Sequence, residues 1–554
     1  MASTTLAQPA KRGLFNTRRG RILRENLTAY ALLSPAMILI FLFGIFPVAF
    51  AFFVSLHRWR RFPDVYVGLS QYERGLDGFA YVLFFWLAAA ALIYAIILLM
   101  RLIGQPDRMR AFSYFVPGIL SAAAVLLFVN WIAIVLPIIL DIPQRLRGAG
   151  GQGAFITELW ASFQYPEAAA AGNQFLLIGI AALACGLVWL RLIKGAKAGT
   201  YWFWAAASVT GTAVAYLVAE LTYSAVNTAV ETARANGESL PIWSQIVLIS
   251  VGALLIGAAY FTWNRAVKAE GNRGFVLKSL AAILLAASGV IFVTQLPQVL
   301  ANADADVLKG FGITLMFVIG TVPFQLALGL FFAVLLFQNI KGKTLFRVVY
   351  FLPYIMPFVA TSIVFRLIFS YRPESIANHV LNLFGIADQK WLLEPLGINT
   401  LLFGAPSGLL AGPSLALIVI MMYSVWTYIG YDAVVFLAGL GNIPSELYEA
   451  ARIDGAGSWA LFRSITLPLL SPTTFVLSLI AIIGTFQAFT QIWLMRTPAS
   501  QGSVDTIGVY IFETARSTDP PPRYASALSF VLFGAILPPA LAQNRLQGRN
   551  VFYG

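Results

Sequence analysis

The chain has 554 residues, of which 59% are hydrophobic and 11% are charged, and its mean hydropathy is +0.78. Soluble domains carry about 25% charged residues, so this composition excludes a soluble globular protein and predicts an all-α polytopic membrane protein. The net charge of +13 could indicate nucleic-acid binding, but the basic residues cluster between apolar runs, which favours a role in membrane orientation. We therefore expect membrane lipid around the chain and no nucleic-acid partner.

The amino-terminal segment, residues 1–28, is basic and has no acidic residue before Glu25. We predict that it is a cytoplasmic tail. The apolar run from Leu27 to Leu56 is too long for a signal-peptide core. It therefore predicts an uncleaved first transmembrane helix, which occupies residues 29–77 together with an external loop.

The rest of the chain alternates apolar runs with polar connections. Each run has about 20 or more residues, enough to cross a hydrocarbon core of roughly 30 Å as a helix. With the first helix, these runs predict about twelve transmembrane helices. The further spans lie near residues 79–100, 111–140, 173–193, 201–220, 242–263, 275–299, 310–337, 346–370, 414–438, 472–494 and 526–543.

The connections that would face the cytoplasm, if the amino terminus is inside, are consistently basic. This is the pattern that the positive-inside rule describes. Both termini are then predicted to be cytoplasmic.

Candidate catalytic and metal-binding residues are scarce. Cys185 is the only cysteine, and the two histidines, His57 and His379, are far apart in the sequence. A disulfide within the chain and a His- or Cys-based metal site are therefore not expected. We expect no cofactor and no catalytic activity in this chain.

A polar segment, residues 441–468, separates two long apolar runs and has the signals of two short helices. Pro444 suits the first turn of a helix, and Gly455 can end that helix in a left-handed conformation. Ser458 can cap a second helix, which Pro468 is expected to end. We predict helix, turn and helix at the membrane surface, a shape that fits a groove on a soluble partner.

The same segment resembles the EAA loop of ABC-importer permeases, through Glu449-Ala-Ala, Gly455 and the final Leu467-Pro468. Ile443–Tyr448 and Asp454–Ala456 are similar to its sugar-importing branch, the maltose permeases. The resemblance implies a cytoplasmic loop that docks into an ATPase subunit, and we call residues 441–468 the coupling segment. Its implied coupling residues are Glu449, Ala450, Ala451, Asp454, Gly455, Leu467 and Pro468.

The resemblance covers the first helix with its external loop and a permease core at residues 305–554. Residues 78–304 differ from the family pattern and are predicted to be an insertion of six transmembrane helices. Because six is even, the insertion preserves the orientation of the core. Alternatively, the span 275–299 replaces the first helix of the core. We expect the inserted helices to face lipid or a partner.

Polar residues in the core spans are the candidate substrate site. In the span 414–438, Ser424, Tyr428 and Tyr431 fall on one side of a helix, and the next span carries Gln487. Hydroxyl and amide groups are costly in hydrocarbon and should face the protein interior. The family resemblance implies that these residues line a sugar site. The alternative is hydrogen bonding between helices without ligand contact, which is also the expected role of Asp432.

Two prolines, Pro353 and Pro357, lie four residues apart in the predicted span 346–370. They are expected to loosen its backbone ladder, so that freed carbonyl groups line a cavity or the helix is merely kinked.

The resulting hypothesis is a permease subunit of an ATP-driven sugar importer in a bacterial-type inner membrane. The implied partners are a second permease subunit, an ABC ATPase dimer and an extracytoplasmic sugar-binding protein. The alternative is a secondary transporter driven by an ion gradient, which explains the number of spans but not the coupling segment. An integral-membrane enzyme is disfavoured by the lack of clustered His, Asp or Cys residues.

Overall fold

The computed structural model describes residues 18–59, 63–146, 152–193, 197–237, 240–269, 271–338, 341–404, 411–517 and 522–547. Within them, ten helices are long and apolar enough to cross a membrane, or up to twelve if two bent helix pairs each count as one span. This confirms an all-α polytopic membrane fold. Most of the predicted basic tail, residues 1–17, lies outside the described residues.

The first span is one apolar stretch, Thr28–Ser55, built from two α-helices that flank a π-helical turn. A short antiparallel hairpin pairs His57 with Tyr66 and leads to a small helix at the same end of the bundle. These elements are α1 (Arg18–Ile40), the π turn Phe41–Ile45, α2 (Phe46–Ser55), β1 (His57–Trp59), β2 (Pro63–Tyr66) and α3 (Ser70–Leu76).

Residues 78–304, which we predict to be an insertion, contain the six long helices that the sequence predicts, with two short ones, and we call them the inserted helices. They are α4 (Phe79–Ile103), α5 (Arg108–Ser113), α6 (Phe115–Arg145), α7 (Gln152–Ser162), α8 (Pro166–Leu192), α9 (Ala198–Ala235), α10 (Ile242–Ala266) and α11 (Asn272–Val299). Helix α4 packs on α9, α6 on α8, and α10 on α11. Small residues permit these close crossings: the Ser208 hydroxyl of α9 donates to the Ala95 carbonyl of α4 over 2.9 Å.

The remaining helices form the core. They are α12 (Ala305–Phe337), α13 (Lys343–Ile355), α14 (Phe358–Ile368), α15 (Ile376–Leu383), the 3-10 turn Trp391–Leu393, α16 (Ile398–Phe403), α17 (Leu415–Gly441), α18 (Ser445–Ile453), α19 (Ser458–Leu461), the π turn Phe462–Thr466, α20 (Leu467–Leu469), α21 (Ser471–Phe486), α22 (Thr490–Met495), α23 (Ile507–Arg516) and α24 (Pro522–Gln547). Helix α17 is the central helix of the core. Half of the residues in its most apolar 18-residue stretch are buried, against 28% or less in the other straight spans.

Glycines let α12 and α13 approach this central helix. A Cβ atom at Gly329 of α12 would lie 2.6 Å from the Cβ of Asp432, and one at Gly430 of α17 would overlap the carbonyl oxygen of Tyr350 on α13. Without a hydrophobic driving force between helices in lipid, such close backbone contact supplies much of the packing energy.

Two predicted spans are not straight. The span 346–370 is divided into α13 and α14, which meet at 97°. The break falls at Met356 and Pro357, both extended, because a residue before proline is disfavoured in the α conformation. The span 472–494 is interrupted after Phe486, where α21 ends, and the chain becomes helical again in α22. Helix α21 is also bent by 63° from the preceding helical run Ser458–Leu469.

The first span and the inserted helices meet the core in a shared hydrophobic cluster at one end of the bundle. Helix α2 packs on α24, whereas α11 packs on α10. The first span therefore contacts a core helix, and the span 275–299 packs mainly on another helix of residues 78–304.

The close crossing of α13 and α17 gives a prediction for stability. Gly430→Ala should lower the melting temperature of the purified protein, because overpacking a helix contact costs about 1–3 kcal/mol. Gly312→Ala on α12 is the matched control, since a Cβ there meets nothing within 4 Å. A melting temperature lowered equally by both substitutions would contradict the described crossing.

Candidate functional site

A cavity of about 210 Å³ lies inside the core, between α12, α13, α17, α21 and α22, and we call it the core cavity. Its wall mixes aromatic, aliphatic and polar side chains, as ligand sites do. The lining residues are Phe317, Thr321, Gln325, Tyr354, Ser424, Tyr428, Tyr431, Asp432, Leu477, Ile480, Ala481, Gly484, Thr485 and Gln491.

Helix α17 supplies one wall. Ser424, Tyr428 and Tyr431 follow one another at helical spacing and all line the cavity. The ring of Tyr431 stacks on that of Tyr354, with centroids 4.9 Å apart, and Tyr428 meets Tyr354 edge-on at 5.9 Å. The structure therefore brings three of the four predicted substrate residues together in an aromatic wall.

The break between α13 and α14 positions Tyr354, which lies one residue before the end of α13. Helix α14 is tied to α17 beyond the break: Thr361 and Tyr423 share a hydrogen bond of 2.7 Å, and the Tyr423 hydroxyl donates to the Phe358 carbonyl over 3.3 Å. These hydrogen bonds stabilise the bend between α13 and α14, and the bend places Tyr354 at the cavity.

Three buried oxygen atoms of the cavity-lining residues have no hydrogen-bond partner: Thr321 Oγ1, Ser424 Oγ and Asp432 Oδ2. The hydrogen bond between helices that we expected for Asp432 is therefore not made by this oxygen. Native proteins pair most buried polar atoms, and leaving one unpaired costs about 1–3 kcal/mol. Three such atoms around one cavity indicate a site that a polar ligand or water completes.

Gln487 does not line the cavity. It caps the carboxyl end of α21 and is exposed on this single chain, while Gln491 and Thr485 reach the cavity instead. Sequence reasoning also missed Thr321, Gln325 and Tyr354. Thr321 and Gln325 lie four residues apart in an otherwise apolar run of α12, which is a periodic signal that could have identified them.

The coupling segment has the two predicted helices, α18 and the run from α19 to α20. Gly455 has φ of +83°, the Gly455 N–H donates to the Arg452 carbonyl, and the Ala456 N–H donates to the Ala451 carbonyl over 2.9 Å. This is a Schellman motif, which requires a left-handed residue that glycine adopts at little cost. The turn between the helices is therefore specified by Gly455.

Two details of the predicted segment are wrong. Gly457, and not Ser458, is the amino-terminal cap of α19. Pro468 does not end the second helix, which continues to Leu469. The π-helical turn Phe462–Thr466 immediately before Pro468 accommodates a proline that cannot donate a helical hydrogen bond.

The coupling segment is folded yet exposed. Tyr448 on α18 and Thr466 share a hydrogen bond of 3.1 Å, which joins the two helices. Ile453 is 86% exposed and Trp459 is 71% exposed, on either side of the Gly455 turn. Of the predicted coupling residues, Glu449, Ala450, Asp454, Gly455 and Leu467 are exposed, and Ala451 and Pro468 are partly buried.

Residues 325–542 match the family described as binding-protein-dependent transport system inner membrane component. They include the coupling segment and the lining of the core cavity except Phe317 and Thr321. The chain is 31% identical over 222 residues to the lactose transport system permease protein LacF of Rhizobium radiobacter, which is 40% of this chain and 68% of that protein. It is 33% identical over 235 residues to the probable ABC transporter permease protein YesP of Bacillus subtilis, or 42% and 69% of the two chains.

A third relative, the trehalose/maltose transport system permease protein MalF of Thermococcus litoralis, is 28% identical over 225 residues, covering 41% of this chain and 69% of that protein. The match spans the core helices and not the whole chain. The chain belongs to the family of binding-protein-dependent transport system inner membrane components, as a membrane-spanning permease subunit of an ATP-driven importer.

Proposed function

We propose that this permease imports a sugar of the maltose or oligosaccharide type through the core cavity. The observation that carries the proposal is the combination of the Tyr354–Tyr431 aromatic wall with three unpaired oxygens at Thr321, Ser424 and Asp432. A sugar offers apolar C–H faces for the rings and hydroxyl groups for the oxygens. Relatives named as permeases for lactose, arabinooligosaccharides and trehalose or maltose support this substrate class.

The proposed path is completed by a second permease subunit. Ligand pockets usually measure about 300–1,000 Å³, whereas the core cavity of this single chain is about 210 Å³. Gln487 is exposed beside the break that follows α21. We place it at the surface shared with the second permease, where it would contact the sugar from outside the core cavity, while Ser424, Tyr428 and Tyr431 contact it from within.

The coupling segment is proposed to dock on an ABC ATPase dimer, which hydrolyses the ATP. Its exposed apolar residues Ile453 and Trp459 suit a groove on a soluble protein. Glu449, Ala450, Ala451, Asp454, Leu467 and Pro468 would form or support this contact, and Gly455 would set its shape. The basic connections orient this segment and both termini toward the cytoplasm of a bacterial-type cell.

The proposed mechanism is alternating access. An extracytoplasmic binding protein delivers the sugar, and closure of the ATPase dimer moves the coupling segment as a lever. The segment ends in α20, and the chain bends by 63° at Leu470 into α21, which lines the core cavity. Movement of the segment would therefore shift α21 against the sugar. The breaks at residues 356–357 and 487–489 give the lining helices places to rotate.

The coupling segment gives the first functional prediction. Gly455→Ala should reduce association with the ATPase and transport by up to about 5- to 30-fold, because a left-handed conformation costs a residue with a Cβ about 1–2 kcal/mol. Gly457→Ala is the matched control, since Gly457 has φ of −74° and no atom near its Cβ position. Co-purification and uptake in proteoliposomes measure both effects. Unchanged association of the Gly455→Ala variant with the ATPase would contradict the proposed lever mechanism.

The core cavity gives the second functional prediction. Tyr431→Ala and Gln487→Ala should each lower the apparent affinity for sugar about 5- to 150-fold, corresponding to about 1–3 kcal/mol from the lost contact. ATP hydrolysis stimulated by the binding protein should largely remain, because the coupling segment is untouched. Both activities are measured in the same reconstituted vesicles.

A matched pair of substitutions separates sugar contact from helix packing. Thr321→Val removes an unpaired hydroxyl of the core cavity, while Thr427→Val removes an equally buried hydroxyl that donates to the Tyr423 carbonyl and does not line the cavity. Only Thr321→Val should change the apparent affinity for sugar. Equal effects of the pair would mean that these residues only hold helices together.

A further inference from the structure

A second cavity, of about 550 Å³, lies between the first external loop and the inserted helix α9, and we call it the outer cavity. Tyr66 and Glu73 line it from the loop and α3, and Tyr81 lines it from α4. The opposite wall is the carboxyl-terminal part of α9, from Leu221 to Ala233, followed by Asn236. All the residues that line this cavity lie outside the matched family region, and the cavity is separate from the core cavity.

The hydroxyl groups on the α9 wall are hydrogen-bond acceptors. Thr228 Oγ1 donates to the Ser224 carbonyl over 2.9 Å, and Thr232 Oγ1 donates to the Thr228 carbonyl over 2.7 Å. Ser224 Oγ donates in the same way to the Leu221 carbonyl over 3.1 Å. Because a hydroxyl has one donor hydrogen and two lone pairs, these three oxygens present lone pairs to the cavity.

The facing wall carries a negative charge. Glu73 is the charged residue among those that line the outer cavity, and the buried Tyr81 lines it as well. Burial raises the pKa of the Glu73 carboxyl, the nearby Tyr81 hydroxyl partly offsets that shift, and Asp77 adds to it. The neighbouring Arg74 guanidinium lies over the ring of Tyr524, 5.0 Å from its centroid. No basic side chain lines the cavity in the described part of the chain.

Acceptors on one wall and a carboxyl group on the other are complementary to a cationic donor. We propose that the outer cavity receives a lysine or arginine side chain of the extracytoplasmic binding protein, whose charged head pairs with Glu73 and donates to the hydroxyl oxygens of α9. The inference rests on the proposed function, since the orientation places this end of the bundle outside the cell. The inserted helices would thereby be part of the docking surface, and not only a lipid-facing layer.

The contacts of α3 connect the proposed docking site to the helices that line the core cavity. Helix α3 packs on α12 and α24. Asp77, immediately after α3, accepts from the Asn302 N–H over 3.0 Å, and Asp304, the cap of α12, accepts from the Tyr510 and Tyr524 hydroxyls over 2.8 and 2.7 Å. Helix α12 carries Thr321 and Gln325 of the core cavity. Binding of a partner side chain at Glu73 would therefore affect the position of α12, a helix that lines the core cavity.

The test uses the assembled transporter in nanodiscs and its extracytoplasmic binding protein, loaded with a maltose-type sugar. Glu73→Gln should weaken their association about tenfold and flatten its dependence on salt, because one charge pair is removed. Thr228→Trp, which fills the cavity without changing its charge, should weaken association as well. Glu231→Gln is the charge-matched control, since Glu231 is exposed on the same helix and does not line the cavity.

The outcomes separate this inference from the proposed function. If the binding protein stimulates ATP hydrolysis and binds wild type, Glu73→Gln and Thr228→Trp equally, the outer cavity is not its docking site, although the proposed function stands. If the wild-type assembly shows no stimulation by the binding protein, the proposed function itself fails. A thermal shift with arginine amide alone that is lost in Glu73→Gln, with unchanged association of the binding protein, would identify a small cation as the occupant and overturn the proposal.

Discussion

In a membrane, a helix can break only where its freed backbone groups find partners within the protein or in an internal cavity. The core of this permease depends on that constraint. The 97° bend between α13 and α14 and the interruption between α21 and α22 both border the core cavity. The first places Tyr354 against Tyr431, and the second turns Gln491 inward. The breaks are therefore what convert a bundle of apolar helices into a chain with a polar interior site.

The two ends of the molecule are connected to this site in different ways. At one end, the coupling segment is joined to α21 through a 63° bend at Leu470, so its position reaches the core cavity through a short, direct chain connection. At the other, the inserted helices reach the core through a hydrophobic cluster and the hydrogen bonds of Asp77 and Asp304. The inserted helices otherwise pack mainly in pairs among themselves. Residues 78–304 therefore form a set of helices that meets the core at one end of the bundle.

Much of this organisation could be predicted from the sequence, because apolar length and the chemistry of Gly455 are local properties. The broken spans could be predicted only in part. Pro357 signals the first break, whereas no proline lies between Phe486 and Thr490 to signal the second. A straight helix through that point would present Gln487 to the cavity, and the interruption presents Gln491 instead. Tyr354 joins the site through packing between helices that are distant in sequence, which periodicity within one helix does not report.

The central claim, that the unpaired oxygens of the core cavity receive a sugar, can be tested by labelling. Replacing the chain's single cysteine, Cys185→Ser, leaves Ser424→Cys as a unique thiol in the core cavity. We expect a small thiol reagent to modify this cysteine in the assembled transporter. We also expect the imported sugar to slow the reaction, and an unrelated sugar that is not imported to leave its rate unchanged. Labelling that proceeds at the same rate with and without the imported sugar would contradict the account.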